Sequence, residues 1–147
     1  MTKYCTDSYL GYNGFTDNKT ELDLEDDAAY VNWGAAWRMP SKEQFAELIN
    51  SNYTTTTWTT QNGVYGRLIT SKKEGYTGNS VFLPAAGYRF NSSLYNAGSY
   101  GRYWSRTLDE GGPYNAWGLY FNSSGISTYG YYFRYFGQSV RPVRVSE

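Results

Sequence analysis

The stretch Asn115-Ala116-Trp117-Gly118-Leu119-Tyr120-Phe121 decides the fold prediction, because large apolar residues alternate along it with small or polar ones. Successive side chains of a β-strand point to opposite faces of the sheet. We therefore predict a strand whose tryptophan, leucine and phenylalanine enter the core, while Gly118 and Tyr120 face outward. Such a strand can specify a fold on one side and present residues to a partner on the other.

Two helices are predicted upstream of this strand. The sequence Pro40-Ser41-Lys42-Glu43-Gln44 is typical of a helix start, because Ser41 can cap the helix and Gln44 can complete a capping box. Apolar residues at helical spacing follow, and Asn50-Ser51-Asn52 ends the element. Residues 23–31 are compatible with another short helix.

Extended chain is favoured beyond residue 53. β-Branched residues at 54–60 and the extended pattern at 64–70 flank a Gln61-Asn62-Gly63 turn, which is typical of a β-hairpin. Further predicted strands span residues 81–84, 131–136 and 139–145, the last two as an antiparallel pair around Gly137.

The composition describes one packed domain over residues 1–147 that is rich in aromatic rings. Apolar residues make up 40% of the chain and aromatic residues 20%, so disorder is not expected. The 17 tyrosines stand out, because tyrosine combines rigid contact area with a hydroxyl group.

The inventory of reactive groups argues against an enzyme. The chain has no histidine for general-base or imidazole metal chemistry, and Cys5 is its one cysteine. The acidic cluster at residues 23–27 lacks the glycine and the terminal glutamate of an EF-hand loop. We therefore expect no catalytic residue, no metal ligand and no cofactor.

The charge balance excludes one class of partner and leaves another open. Thirteen basic and thirteen acidic residues give no net charge, so we expect no nucleic-acid partner. Residues 89–144, however, hold six arginines against two acids. This excess could favour an anionic ligand, or the arginines could be solvated or paired internally.

The N-terminus and the hydropathy bear on localisation. Residues 1–15 contain no apolar leader, and no segment is long and apolar enough for a membrane span, so we expect no membrane insertion. We therefore expect that export does not use an apolar leader within residues 1–15, or that a leader was removed before residue 1.

Four motifs in order resemble the Fibrobacter succinogenes major paralogous domain family, which is related by fold to formylglycine-generating enzymes and C-type lectins. They are Trp37-Arg38-Met39-Pro40-Ser41, Phe82-Leu83-Pro84-Ala85-Ala86-Gly87-Tyr88-Arg89, Gly101-Arg102-Tyr103-Trp104-Ser105 and Gly137-Gln138-Ser139-Val140-Arg141-Pro142-Val143-Arg144. The resemblance implies an α+β C-type lectin fold with two helices and a twisted, loop-interrupted antiparallel sheet. The cysteine pair of formylglycine-generating enzymes is missing.

The C-terminal third also resembles the variable proteins of diversity-generating retroelements from gut Bacteroidetes or their phages. Adenine randomisation there turns asparagine codons into tyrosine, serine, glycine, phenylalanine or aspartate, and residues 127–136 consist mostly of this set. The resemblance implies a hypervariable ligand-binding surface within about residues 95–136. The candidate binding residues are Tyr95, Tyr100, Arg102, Arg106, Tyr114, Gly118, Tyr120, Ser127, Tyr129, Gly130, Tyr131, Tyr132, Tyr135 and Phe136. Phe121 and Phe133 lie close to these candidate residues in the sequence, but we expect them to fill the core.

The functional prediction is non-catalytic binding of a surface protein or glycan by an extracellular domain of a bacterial surface or a phage virion. The alternative is an undiversified envelope domain that binds a fixed glycan or has a structural role in a larger protein.

Overall fold

A computed structural model describes residues 1–145 of the chain. It shows an α+β fold with two helices and small antiparallel sheets, which confirms that part of the sequence prediction. The helices are α1 Ala28–Trp33 and α2 Lys42–Leu48, and a short 3-10 turn spans Tyr12–Gly14. The strands are β1 Trp37–Arg38, β2 Thr54–Gln61, β3 Val64–Ser71, β4 Ser80–Pro84, β5 Tyr88–Phe90, β6 Ser93–Tyr95, β7 Gly101–Leu108, β8 Asn115–Phe121, β9 Ile126–Phe133 and β10 Val143–Arg144.

The two helices begin at side-chain caps. The Ser41 hydroxyl accepts from the Gln44 amide nitrogen, and the Gln44 side chain accepts from the Ser41 amide nitrogen, so the predicted capping box is confirmed. Helix α1 starts later than predicted, at Ala28, because the Asp27 carboxylate accepts from the first free amides of the helix. The acids just before Asp27 form a turn instead.

Residues 1–145 form four sheets, in the orders β1-β10, β2-β3-β4, β5-β6 and β7-β8-β9. The predicted β2–β3 hairpin is confirmed, with positive φ angles at both Asn62 and Gly63 in its two-residue turn. The β5–β6 hairpin is held beside the sheet β7-β8-β9 by reciprocal backbone hydrogen bonds between Arg89 and Gly137.

The predicted pairing of residues 131–136 with 139–145 is wrong. Strand β9 pairs with β8, and β10 pairs with β1 near the start of the helical half. The backbone bonds of Gly137 to Arg89 draw the chain away from β9, so residues 139–145 cannot fold back along it.

The main core lies where α2 and the sheet β2-β3-β4 meet the sheet β7-β8-β9. Its buried residues are Phe45, Ile69, Leu83, Ala85, Tyr103, Leu119 and Phe121. Arg67 of β3 donates to the carbonyl of Asn122, which ties the two sheets together at the β8–β9 turn. The sheet β7-β8-β9 is therefore packed on one face and carries the candidate residues on the other.

Candidate functional site

Strand β8 separates the core from the candidate site. Leu119 and Phe121 are completely buried, and the ring of Trp117 on the same face lies 4.9 Å from the Lys42 ammonium. Tyr120 points to the opposite face, where its ring meets Tyr100 at a centroid distance of 5.5 Å. The predicted inward face is thus confirmed for Leu119 and Phe121.

A β-bulge in β9 brings three tyrosines to the outer face. Gly118 pairs with Tyr129 and Ala116 pairs with Tyr132, so β8 has one residue between these pairs where β9 has two. The extra residue breaks the strict alternation of side chains. As a result Tyr129, Tyr131 and Tyr132 all line the same depression.

This depression, which we name the tyrosine cleft, has a volume of about 500 Å³. The exposure of its tyrosines decreases from the opening to the floor: Tyr131 is 70% exposed, Tyr129 is 43% exposed and Tyr132 is 5% exposed. Packing therefore fixes Tyr132 at the floor of the cleft, whereas the exposed Tyr129 and Tyr131 are free to contact a ligand. The lining residues are Tyr100, Arg102, Tyr120, Tyr129, Tyr131, Tyr132, Phe133 and Phe136.

The Arg102 guanidinium lies among the rings at the base of the cleft. Its Cζ is 3.8 Å from the ring centroid of Tyr88, 4.8 Å from that of Tyr132 and 6.0 Å from that of Tyr120. Stacking on electron-rich faces stabilises the cation and holds the group in place. Burial raises the pKa of Tyr132 above its usual value, an effect that Arg102 opposes. The floor of the cleft therefore holds one positive charge and a neutral phenol at physiological pH.

An aromatic rim extends the cleft on both sides. We define it as Tyr88, Phe90, Tyr95, Tyr114 and Tyr135. The Tyr95 ring stacks on Tyr88 at 5.6 Å, and Tyr88 meets Phe136 at 5.5 Å. Tyr135 stacks on Phe133 at 5.2 Å, and Tyr114 meets the same phenylalanine at 6.0 Å. Tyr95, Tyr114 and Tyr135 thus continue the surface of the cleft.

Ten of the fourteen candidate residues lie in the cleft or the aromatic rim. Ser127 is exposed and lies opposite Tyr120 in the strand register, so it borders the same face. The structure places the remaining three candidates elsewhere, namely Arg106, Gly118 and Gly130.

Arg106 lies away from the tyrosine cleft. Alternation along β7 would put it on the face of Arg102, but the β7–β8 register shifts between Trp104 and Leu108. The Ser105 hydroxyl donates to the Trp117 carbonyl within this irregular segment. The Arg106 side chain turns to the helical half, where Nη1 donates to the Met39 carbonyl and Nε pairs with Glu21 at 3.1 Å.

Gly118 and Gly130 were predicted as outward binding residues, and both are buried. A Cβ at Gly118 would lie 2.6 Å from the Tyr103 carbonyl oxygen, and one at Gly130 would lie 2.8 Å from the Trp117 ring. These glycines allow close packing within the sheet and offer no side chain to a ligand.

Three residues of the site were missed, namely Tyr88, Phe90 and Phe133. The expectation that Phe133 fills the core is wrong, since it is 40% exposed and lines the cleft. Tyr88 and Phe90 precede the predicted binding segment at about residues 95–136, and the β5–β6 hairpin brings them to the site. The aromatic-polar alternation of Tyr88-Arg89-Phe90 was the available signal, but the position of the hairpin depends on distant contacts.

A second group of charges lies apart from the cleft, in the N-terminal region. Carboxylate oxygens of Asp23, Glu25 and Asp26 lie within 4.8 Å of one another. The Lys3 ammonium pairs with all three, at 2.9 Å from Asp23 and 2.7 Å from Glu25. Hydrogen bonds from Lys19 and then Lys3 lower the pKa of Asp23. This cluster is therefore satisfied by lysine cations of the chain itself.

A further cavity of about 370 Å³ lies between the N-terminal region and the sheet β7-β8-β9. Apolar side chains such as Leu22, Met39 and Leu108 make up most of its walls, and Arg134 at its edge donates to the Tyr4 and Pro113 carbonyls. None of the fourteen candidate residues lines it. The tyrosine cleft is therefore the concavity where the candidate residues converge.

No helix within residues 1–145 combines the length and the apolar character needed to cross a membrane. Residues 41–143 match the model of a protein family described as a domain of unknown function, DUF8237, and the chain belongs to that family. The matched segment starts at the cap of α2 and includes the whole tyrosine cleft. Neither the curated proteins nor the solved structures gave a match to this chain.

Proposed function

We propose that this domain is a non-catalytic binding module that holds a surface ligand in the tyrosine cleft. The observation that carries the proposal is the two-sided character of the sheet β7-β8-β9. Leu119 and Phe121 anchor one face in the core, while exposed tyrosines of the same sheet converge on a concave depression. A fixed scaffold that carries a solvent-facing aromatic surface is the arrangement that recognition requires.

The chemistry of the lining supports binding. Tyrosine contributes large apolar area at a small entropic cost, because its side chain has few rotatable bonds, and its hydroxyl stays hydrated until a ligand arrives. The lining residues are tyrosine, phenylalanine and one arginine, with no carboxylate, thiol or aliphatic hydroxyl among them. Such a set can stack and donate hydrogen bonds, and it lacks a general base that works near neutral pH.

The resemblance to the Fibrobacter succinogenes major paralogous domain family supports a finer proposal, namely a C-type lectin fold. Under this proposal the domain belongs to a bacterial surface protein or a phage virion, and a retroelement diversifies its cleft. Exposure favours this interpretation at Tyr95, Tyr129, Tyr131 and Tyr135, since substitutions at exposed positions change stability little. The ligand is a protein or a glycan outside the cell.

The test is a binding screen with a matched pair of variants. Wild-type domain is probed against arrays of bacterial glycans and surface proteins. The cleft variant is Tyr129→Ala/Tyr131→Ala, and the control is Tyr9→Ala/Tyr12→Ala, which removes two tyrosines that are 96% and 68% exposed outside the cleft. Because tyrosines that a ligand covers often dominate the binding energy, we expect the cleft variant to bind at least about tenfold more weakly.

The control variant should bind any ligand found in the screen as the wild type does. Both variants should retain the wild-type unfolding midpoint, since the four substituted rings are exposed. Equal affinity of the cleft variant and the wild type would place the binding surface elsewhere and refute the proposal.

A further inference from the structure

Within residues 1–145, the Arg102 side chain at the base of the cleft has no polar partner. Its Nε is buried and makes no hydrogen bond, and none of the ion pairs within residues 1–145 includes it. A buried polar group without a partner costs free energy, and a charged one costs more. The rings around the guanidinium offset only part of this cost.

Three other arginines, in or beside the two large sheets, donate hydrogen bonds to carbonyl groups of the chain. Arg67 donates to the Asn122 and Ser123 carbonyls, Arg106 donates to the Met39 carbonyl, and Arg134 donates to the Tyr4 and Pro113 carbonyls. These three side chains hold loops together. Arg102 differs from them because its side chain lines the cleft and donates no hydrogen bond to any group within residues 1–145.

The lining tyrosines have free hydroxyl groups as well. The Tyr120 hydroxyl accepts from the Asn122 side chain, which leaves its own proton available. Within residues 1–145 the hydroxyls of Tyr100, Tyr129, Tyr131 and Tyr132 make no hydrogen bond. The cleft therefore combines aromatic faces, several hydroxyl donors and one unpaired guanidinium.

We infer that the ligand of the tyrosine cleft is an acidic saccharide whose carboxylate binds Arg102. A planar carboxylate matches the donor fork of a guanidinium and can take two parallel hydrogen bonds. The C–H faces of a sugar ring pack on tyrosine rings, and its hydroxyls pair with the phenol groups. The inference rests on the proposed function, and it names the ligand class of that same site.

The shape of the site favours a saccharide over an acidic protein surface. A depression of about 500 Å³ lies in the usual range of small-ligand pockets, whereas protein interfaces are broader and flatter. The absence of any acid from the lining residues means that a bound carboxylate meets no like charge. A neutral sugar offers Arg102 only uncharged oxygen acceptors, so the guanidinium would gain no counter-charge.

The experiment compares acidic and neutral saccharides by titration calorimetry. The probes are a galacturonate trimer and sialyllactose, each paired with its neutral counterpart, a galactose trimer and sialyllactose methyl ester. Wild-type domain should bind at least one acidic probe at least about tenfold more tightly than its neutral partner, because a charge-assisted bidentate contact is lost in the neutral sugar. This comparison needs no variant and does not depend on how a substitution affects folding.

Variants then assign the effect to Arg102. Arg102→Gln should weaken binding of the acidic probe about tenfold or more and leave the neutral probe unchanged, and Arg102→Lys should fall between, because it keeps the charge without the fork. Arg144→Gln is the charge-matched control, since Arg144 is exposed in β10 and does not line the cleft. It should bind as the wild type does.

Three results would overturn the inference: no binding of either acidic probe, equal binding of acidic and neutral probes, or no effect of Arg102→Gln. If an aspartate-rich peptide or a protein binds instead and Tyr129→Ala/Tyr131→Ala abolishes that binding, the proposed function stands and the saccharide inference fails. If the double tyrosine variant has no effect on any ligand, the proposed function itself fails.

Discussion

At the scale of single residues, Gly118 shows how tightly the outer face of the sheet is built. It lies between Tyr103 and Tyr132, and its missing side chain allows the neighbouring strand to approach. Because Gly118 lies on the same side of the predicted strand as Tyr120, the sequence pattern predicts an exposed position that tolerates substitution. The nearest atom to a Cβ there belongs to the backbone of β7, which cannot move aside as a flexible side chain would.

We therefore predict that Gly118→Ala lowers the free energy of unfolding by about 1–3 kcal/mol, the usual cost of overpacking. Gly125→Ala is the control, because a Cβ at Gly125 would meet nothing within 4 Å and its φ lies outside the left-handed region. That variant should change the stability by no more than about 0.5 kcal/mol. Urea denaturation measures both, and equal stability of the two variants would contradict the packing described for Gly118.

At the scale of elements, local chemistry explains what the sequence could predict. The capping box of α2 and the Asn62-Gly63 turn depend on residues within a few positions of each other, and both are confirmed. The bulges of β7 and β9 depend instead on the register with β8. Alternation alone therefore placed Arg106 on the wrong face, and it could not show that Tyr131 and Tyr132 line one cleft.

The carboxylate of Asp27 accepts hydrogen bonds from two separate segments of the backbone. It is buried, it caps α1 through the Ala29 and Tyr30 amides, and it also accepts from the Met39 amide. One side chain thus joins the start of α1 to the segment that enters α2.

We predict that Asp27→Ala lowers the free energy of unfolding by about 2–4 kcal/mol, because it removes a helix cap and leaves a buried amide unpaired. Glu47→Ala is the control, as Glu47 is exposed on α2 and should contribute about 0.5 kcal/mol or less. Urea denaturation of both variants gives the difference. A cost below about 1 kcal/mol for Asp27→Ala would show that water replaces the carboxylate at this site.

At the scale of the whole molecule, the charges are segregated by position. Acids of the N-terminal region are paired with Lys3, Lys19 and Arg106, whereas the cleft contains Arg102 and no acid. The sequence indicated an excess of arginines over acids in residues 89–144, but it left open whether those arginines were paired. The structure answers this residue by residue: Arg106 is paired with Glu21, and Arg102 faces the cleft.

The overall arrangement also explains why part of the site escaped prediction. Tyr88 and Phe90 join the aromatic rim through backbone hydrogen bonds between Arg89 and Gly137, which lie 48 positions apart in the chain. Such long-range contacts leave no periodic signal in a single sequence. The exposed tyrosines of β9, in contrast, were found from composition, because that many hydroxyls are costly to bury.

Under the proposed diversification, the exposed residues of the cleft and the aromatic rim vary while the sheet beneath them stays fixed. Deep sequencing of the gene from the population that carries it, scored codon by codon over residues 95–144, tests this most directly. We predict adenine-templated substitutions at exposed positions such as Tyr95, Tyr129, Tyr131 and Tyr135, with Gly118 and Leu119 spared. A uniform segment, or substitutions that fall equally on buried and exposed codons, would contradict the claim.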